Sequence, residues 1–361
     1  MGRYHKSLVW AGNQFINRIL QDISYRLDRG FCRPSRIICC LTNRCNLKCR
    51  QCAFWRSPKT KELTTEEWKN IILKLRDWLG PYRMQIAGGE LFLRDDIIEL
   101  VRFGHDRDVL MGLVTNGTLI NNELAEEIVM SGLSYLDISL DGIRVETHDY
   151  VRGVKGVYDK VMETIQYLKQ HRNKIDNDLS VTIATVIMSI NMDELVDIVN
   201  FVEKEGLDGV AFNPLGPPHD SGGDLMWYEK SELWPRKNDL DKLESVLDQL
   251  ILLKKKGAKI LNSADQFIEM KTYFRDPFVF ANNHCIVGVT NWLMSCEGTI
   301  HPCFYVPSIG TFREPFKKIW RSEQARVARQ KIRNCRHECS PGNYVYKRNL
   351  IKEVQRYLQY R

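Results

Sequence analysis

The chain of 361 residues contains no run of about 18 apolar residues, so no segment of it is expected to cross a membrane as a helix. Its first residues, MGRYHKSLVWAGNQF, have neither the apolar centre nor the small-residue cleavage site of a secretory signal, so no export is expected. Internal repeats and low-complexity tracts are also missing. What remains has the composition of a soluble globular protein, 43% hydrophobic and 27% charged, long enough for one large domain with a smaller appendage.

What the chain does have is cysteine, 11 in all. An unexported chain is expected in the cytoplasm, where regularly spaced cysteines hold metal or do redox chemistry more often than they form disulfides. An odd count also rules out full pairing within one chain.

The net charge of +7 is uneven. Residues 1–36 carry seven basic and two acidic side chains, and residues 331–361 carry eight and two. The two ends outweigh the total, so the middle is net acidic. That argues against a specific nucleic-acid binder, whose basic surface would lie on the folded core. For the ends it leaves a membrane surface, an acidic partner or a solvated face. Residues 8–27 read as an amphipathic helix, with Leu8, Phe15, Ile16, Ile19, Leu20, Ile23 and Leu27 at helical spacing. The expected arrangement packs this stripe on the body. The alternative is contact with a membrane surface, with Lys6, Arg18 and Arg26 meeting anionic lipid.

From residue 36 to about 214, short apolar runs alternate with amphipathic segments. Strands are predicted at Ile37–Leu41, Met84–Ala87, Val109–Thr115, Tyr135–Leu140, Leu179–Ile187 and Gly209–Asn213. Helices are predicted near 65–79, 95–106, 121–131, 157–171 and 192–205, and the first opens on a capping box, Thr64-x-x-Glu67. Such alternation indicates an α/β fold with a parallel sheet or barrel, whose chemistry gathers at the C-terminal strand ends. Polar and glycine clusters stand there: Cys45-x3-Cys49-x2-Cys52, Gly88-Gly89-Glu90, Thr115-Asn116-Gly117-Thr118, Ser139-Leu140-Asp141-Gly142 and Asn213-Pro214-Leu215-Gly216. Residues 214–236, rich in Gly, Pro and Trp, read as a loop or a lid carrying His219, Trp227, Tyr228 and Trp234.

Three thiolates within eight residues face one point only if the loop wraps around it. A zinc site normally takes four ligands. A 4Fe-4S cluster on three thiolates keeps one iron open for an outside ligand. A zinc loop or a chance trio remains the alternative. With its place after a first strand, the run CNLKCRQC resembles the cluster loop of the radical S-adenosylmethionine (SAM) superfamily.

That resemblance implies a partial (βα)6 TIM-like barrel over about residues 36–260. It also implies a 4Fe-4S cluster on Cys45, Cys49 and Cys52 and reductive cleavage of SAM to a 5′-deoxyadenosyl radical. Gly88, Gly89 and Glu90 match the family's GGE turn beside the SAM amino group, where glycines permit close backbone approach. Leu91 departs from the proline of many relatives. Ser139 and Asp141 fall where the family contacts the ribose and carboxylate of SAM, and Arg152 resembles the arginine that pairs with that carboxylate. SAM, an organic substrate and a flavodoxin- or ferredoxin-type electron donor are the implied partners.

A second cysteine set follows: Cys285, then Gly298 and Cys303, then Cys335-x3-Cys339. It resembles the SPASM or twitch auxiliary-cluster extension, with a hairpin turning at Gly298 between Trp292–Met294 and Thr299–Ile300. Four thiolates saturate one 4Fe-4S cluster, so one auxiliary cluster is expected, with a four-cysteine zinc site as the alternative. Cys296 is a spare thiol, a substitute ligand or a hydrogen donor. Cys32, Cys39 and Cys40 read as small buried apolar residues.

The expected division is residues 1–35 as an N-terminal helix, 36–260 as the barrel, 261–345 as the auxiliary module and 346–361 as a basic helix. The auxiliary cluster is the expected electron acceptor in an oxidation, and a redox-neutral epimerisation is the other reading. A small-molecule, sugar or lipid-linked substrate is expected, because residues 1–36 read as one helix rather than a leader-binding domain. Maturation of a ribosomal peptide is the alternative. A non-catalytic iron–sulfur or zinc-binding protein would not need the polar strand-end rim.

Overall fold

The computed structural model describes residues 16–175, 177–218, 224–279 and 285–337. Helix α1 spans residues 16–27. The body then runs β1 (Arg36–Cys40), α2 (Thr65–Leu79), β2 (Tyr82–Ala87), α3 (Ile97–His105), β3 (Val109–Thr115), α4 (Asn122–Met130) and β4 (Tyr135–Ser139). It continues through α5 (Val145–Arg152), α6 (Val157–Arg172), β5 (Ser180–Ile187), α7 (Leu195–Glu205) and β6 (Gly209–Pro214). After it come α8 (Trp227–Lys230), α9 (Leu240–Lys255), α10 (Ala264–Arg275) and α11 (Val287–Thr290). The chain closes with β7 (Asn291–Met294), β8 (Thr299–His301), β9 (Gly310–Thr311), α12 (Phe316–Arg321) and α13 (Glu323–Arg333).

Between residues 36 and 214 the predicted strands and helices are present within a few residues of their expected ends, whereas residues 8–15 of the expected first helix and the basic helix expected at 346–361 lie outside the described residues. The capping box before α2 forms on both sides, the Thr64 side chain accepting from Glu67 N and the Glu67 side chain from Thr64 N. β1 to β6 are all parallel. Ile, Val, Leu and Met fill most of their buried positions, because a parallel sheet is covered on both faces.

The strand order is β6-β5-β4-β3-β2-β1-β7-β8-β9, and β6 and β9 lie at its two edges. The sheet therefore stays open, a partial barrel as the sequence predicts. The cysteine-rich segment is not a detached appendage. β7 pairs in parallel with β1, from Arg36↔Asn291 to Cys39↔Met294, and β8 and β9 follow it antiparallel. The turn between β7 and β8 carries Gly298 at φ +83°, as expected of that hairpin.

Two expectations change. In the segment 214–236, Trp227 and Trp234 are buried and meet edge to face at 5.3 Å. Trp234 also packs on Tyr273 and Phe274 of α10 at 5.4 and 5.0 Å. These rings form core under α10 and not a lid, and His219 lies outside the described residues.

The second change is at α1, which packs on the body by its polar side. Asn17 accepts from Arg33 N at 2.7 Å and donates to Arg33 O at 2.9 Å. Gln21 donates to Ser35 Oγ at 3.0 Å, Ser24 Oγ accepts from Cys32 N at 3.0 Å, and Asp28 pairs with Arg333 at 2.7 Å. Residues 29–35 return along the helix without a sheet partner of their own. Their backbone groups need hydrogen bonds, and the polar face supplies them. Ile16, Ile19, Ile23 and Leu27 consequently face outward.

Candidate functional site

Parallel strands deliver their C-terminal ends to one rim. β1 ends at Cys40, and the loop carrying Cys45, Cys49 and Cys52 then crosses this rim, tied down by four neighbours. The first is the turn after β2. Gly89 N donates to Thr42 O and Glu90 N to Arg44 O, each at 2.8 Å. Gly88 sits at φ +134°, and a Cβ there would lie 2.6 Å from Thr42 O. A Cβ on Gly89 would lie 1.9 Å from Arg44 O. The two glycines are thus required by the cysteine loop itself, whose backbone rests on them.

The second tie is the end of β3. Asn116 donates to Asn46 Oδ1 at 2.9 Å, and Asn46 donates to Thr118 Oγ1 at 2.8 Å. Glu90 braces this corner from beneath: fully buried, it accepts from Thr115 Oγ1 at 2.7 Å, Asn116 N at 2.8 Å and Phe92 N at 3.2 Å. Burial raises its carboxyl above the ordinary range, and those hydrogen bonds pull it part of the way back. The third tie is α5. Arg50 N donates to Val151 O at 2.9 Å, and the Arg50 guanidinium lies 4.0 Å over the Tyr150 ring.

The fourth tie joins the loop to the end of β4 through Asp141, which is fully buried. Gln51 Nε2 donates to Asp141 Oδ2 at 2.9 Å, and Arg152 Nη2 pairs with the same oxygen at 2.8 Å. Asp141 Oδ1 accepts from Val186 N at 2.9 Å. Burial raises the Asp141 carboxyl, and the Arg152 guanidinium opposes that rise. Arg152 also points Nη1 toward Cys49 Sγ at 3.9 Å. His148 Nδ1 accepts from Asp141 N at 3.1 Å, so its proton is on Nε2. Burial and then Arg152 hold this imidazole neutral, well below its usual pKa.

Around Asp141, three buried polar atoms have no hydrogen-bond partner among the described residues: Gln51 Oε1, His148 Nε2 and Arg152 Nε. A buried polar atom is costly until something satisfies it, so this corner fits a polar ligand. Ser139, half-buried at the end of β4, stands on the same rim. The sequence brought Asp141 and Arg152 forward but not Gln51 or His148. The signal was available for Gln51, which lies between the second and third cysteines of the loop.

The thiols suit a metal group. Cys45 is pushed up to about 11, by burial first and also by the proximity of Cys49 and Cys52. A bound cation reverses such a rise by favouring the thiolate. Cys285 and Cys303 behave alike. Cys285 is pushed up to about 12 by burial and by Cys303 and Cys335, and Cys303 is raised by burial and by Cys335. In both sets the thiols feel one another, and among the described residues they do not close to the spacing of a single-ion site. Cys339 lies outside the described residues.

Cys296 belongs to neither set. It is buried beyond the end of β7, with its Sγ 3.6 Å from Thr60 Oγ1, and its interaction with the neighbouring Cys40 thiol lowers its pKa. Cys32 and Cys39 are buried as expected, and Cys40 is half-buried.

The sequence profile of the Radical SAM superfamily matches residues 39–202, and that of an iron-sulfur cluster-binding domain, SPASM, matches residues 285–340. An AdoMet-dependent heme synthase of Methanosarcina barkeri is 28% identical over 80% of this chain and 82% of its own. One of Oleidesulfovibrio alaskensis is 32% identical over 79% of this chain and 74% of its own. The fold is shared with Streptococcus suis SuiB bound to its precursor peptide SuiA, with a TM-score of 0.64 at 16% identity over 88% of this chain and 75% of that one. On these matches the chain belongs to the radical SAM superfamily, with a SPASM auxiliary iron–sulfur domain.

Proposed function

We propose that Cys45, Cys49 and Cys52 hold the SAM-binding 4Fe-4S cluster and that Cys285, Cys303, Cys335 and Cys339 hold the auxiliary cluster, in an enzyme that oxidises a small molecule. The observation that carries this is the seating of the three-cysteine loop on three strand ends and α5, with three unsatisfied polar atoms beside it. If bound there, SAM and the two clusters would supply radical hydrogen-abstraction chemistry and an acceptor for the second electron of an oxidation.

The chain's own residues position and enclose. Gly88 and Gly89 admit the loop backbone, and Glu90 locks the β2 and β3 corners together beneath it. Asp141 holds Arg152 and Gln51, leaving Arg152 Nε as a donor and Gln51 Oε1 as an acceptor for the amino-acid end of SAM. Ser139 is assigned to the ribose. The β1–β7 pairing fixes the second cysteine set relative to the first, and a direct electron step needs such a fixed separation. This favours net oxidation over epimerisation. A flavodoxin- or ferredoxin-type donor would supply one electron for each SAM. The substrate then gives up a hydrogen atom and one further electron.

Relatives matched over about four-fifths of the chain include AdoMet-dependent heme synthases and an Fe-coproporphyrin III synthase, which supports a small molecule of the tetrapyrrole class over a peptide. The test uses anaerobically reconstituted protein with SAM, dithionite and an iron tetrapyrrole. About eight irons per chain and tetrapyrrole-dependent 5′-deoxyadenosine are expected. Eight irons without that dependence would overturn the substrate class and leave the radical chemistry. About four irons would remove the auxiliary cluster and the oxidation with it.

A further inference from the structure

Helix α1 is amphipathic in the reverse of the usual sense. Its hydrogen-bonding side chains are consumed in holding residues 32–35, so the helix cannot roll its apolar stripe inward without breaking those bonds. Ile16, Ile19, Ile23 and Leu27 lie within about 80° of arc on the helix. Ile16 is 57% exposed and Leu27 58%. Phe31, 48% exposed, extends the patch past the end of the helix. No described residue covers it.

The stripe adjoins a cavity of about 630 Å³ between α1 and α12, and Ile16 and Phe31 belong to both. The cavity combines apolar Leu20, Trp78 and Trp320 with polar groups, and it carries Arg33, Lys317 and Arg321 against a single carboxylate, Asp77. Arg18, Arg26 and Arg29 lie on or just beyond the helix, and Arg26 is tied to Asp22. An apolar stripe with a groove beside it, ringed by cations, on a chain whose middle is net acidic, requires an apolar and anionic occupant. A second copy would set this basic face against itself. Residues 338–361, with five basic and two acidic side chains, have the same wrong sign.

We propose that the α1 face docks the protein on an anionic lipid bilayer, with Ile16, Ile19, Ile23, Leu27 and Phe31 in the headgroup–acyl boundary and the flanking cations against lipid phosphates. No described helix is long and apolar enough to cross a membrane, so the contact lies in the interface plane. Its place beside the barrel would bring the enzyme to substrates or electron donors held at a membrane. It does not depend on the chemistry proposed for the rim.

The test is flotation of the iron-loaded full chain with vesicles of phosphatidylcholine alone or mixed with phosphatidylglycerol. The protein should float with the anionic vesicles, less so as salt is raised, and not with the neutral ones. The double variant Ile19→Glu/Ile23→Glu should reduce partitioning at least about tenfold. Both residues are already exposed, so iron content and melting temperature should not change. Failure of the parent protein to float, or equal flotation of the variant, would overturn the proposal. So would a dimer in light scattering that the variant dissociates, or flotation that appears only after residues 338–361 are removed.

Discussion

The two cysteine sites differ in how the chain makes them. Cys45, Cys49 and Cys52 lie within eight consecutive residues, so a single loop turn brings them together at small entropic cost. Cys285, Cys303 and Cys335 come from three elements, before α11, after β8 and after α13. They meet only once β7 has paired with β1 and α13 has packed back. The first site is therefore local in its ligands and global in its seating, whereas the second is global in both. Substitutions can separate these contributions.

The largest effect is expected from replacing Cys45, Cys49 and Cys52 by Ala. Reductive SAM cleavage should fall to background and about four irons per chain should be lost, leaving the auxiliary set loaded. Retained 5′-deoxyadenosine would remove the trio from the mechanism. Gly89→Ala tests the seating without touching a ligand. Its Cβ meets the Arg44 carbonyl, so the loop must lift from the β2 turn, a cost of about 2–4 kcal/mol. SAM affinity, read from the cluster's magnetic resonance signal, should weaken at least about thirtyfold. Unchanged affinity would mean that the glycines do not position the loop.

Cys303→Ala with Cys335→Ala should also remove about four irons, but SAM cleavage should continue while substrate oxidation stops. Simultaneous loss of cleavage would show that the β1–β7 seam transmits damage from the second site to the first. His148 gives a smaller effect with a defined sign. Its folded pKa is depressed, so its contribution to stability is present above the unfolded value of about 6.5 and is lost as pH falls below it. Urea midpoints should drop between about pH 7 and pH 5, by up to about 1.4 kcal/mol per unit, and His148→Gln should flatten that slope. The smallest effect is expected from Cys296→Ser: no iron lost, and a stability change of under about 1 kcal/mol. Iron loss would place this thiol back among the ligands.

Much of the rim was legible because its signals are local. Cysteine spacing, a GGE turn after a strand and an Asp before a helix need no knowledge of long-range contacts. The reason for the glycines was not legible, since it lies in the approach of Thr42 and Arg44, about 45 positions earlier in the chain. Gln51 and His148 were passed over because an amide and an imidazole matter here only through atoms left unsatisfied by burial. Trp227 and Trp234 suggested a lid by composition, but α10, from 264 to 275, covers them.

The sequence by itself determined the parallel βα order, the two cysteine sets and the glycine turn of the β7–β8 hairpin, because periodicity, spacing and turn chemistry act over a few residues. Only the tertiary structure decided that β7 would extend the barrel sheet through β1, since strand pairing across 255 positions depends on which edge is left open. It also decided which side of α1 faces in. The helix carries an apolar and a polar face of its own, and the backbone of residues 32 and 33, which hydrogen-bonds to the side chains of Ser24 and Asn17, holds the polar one inward.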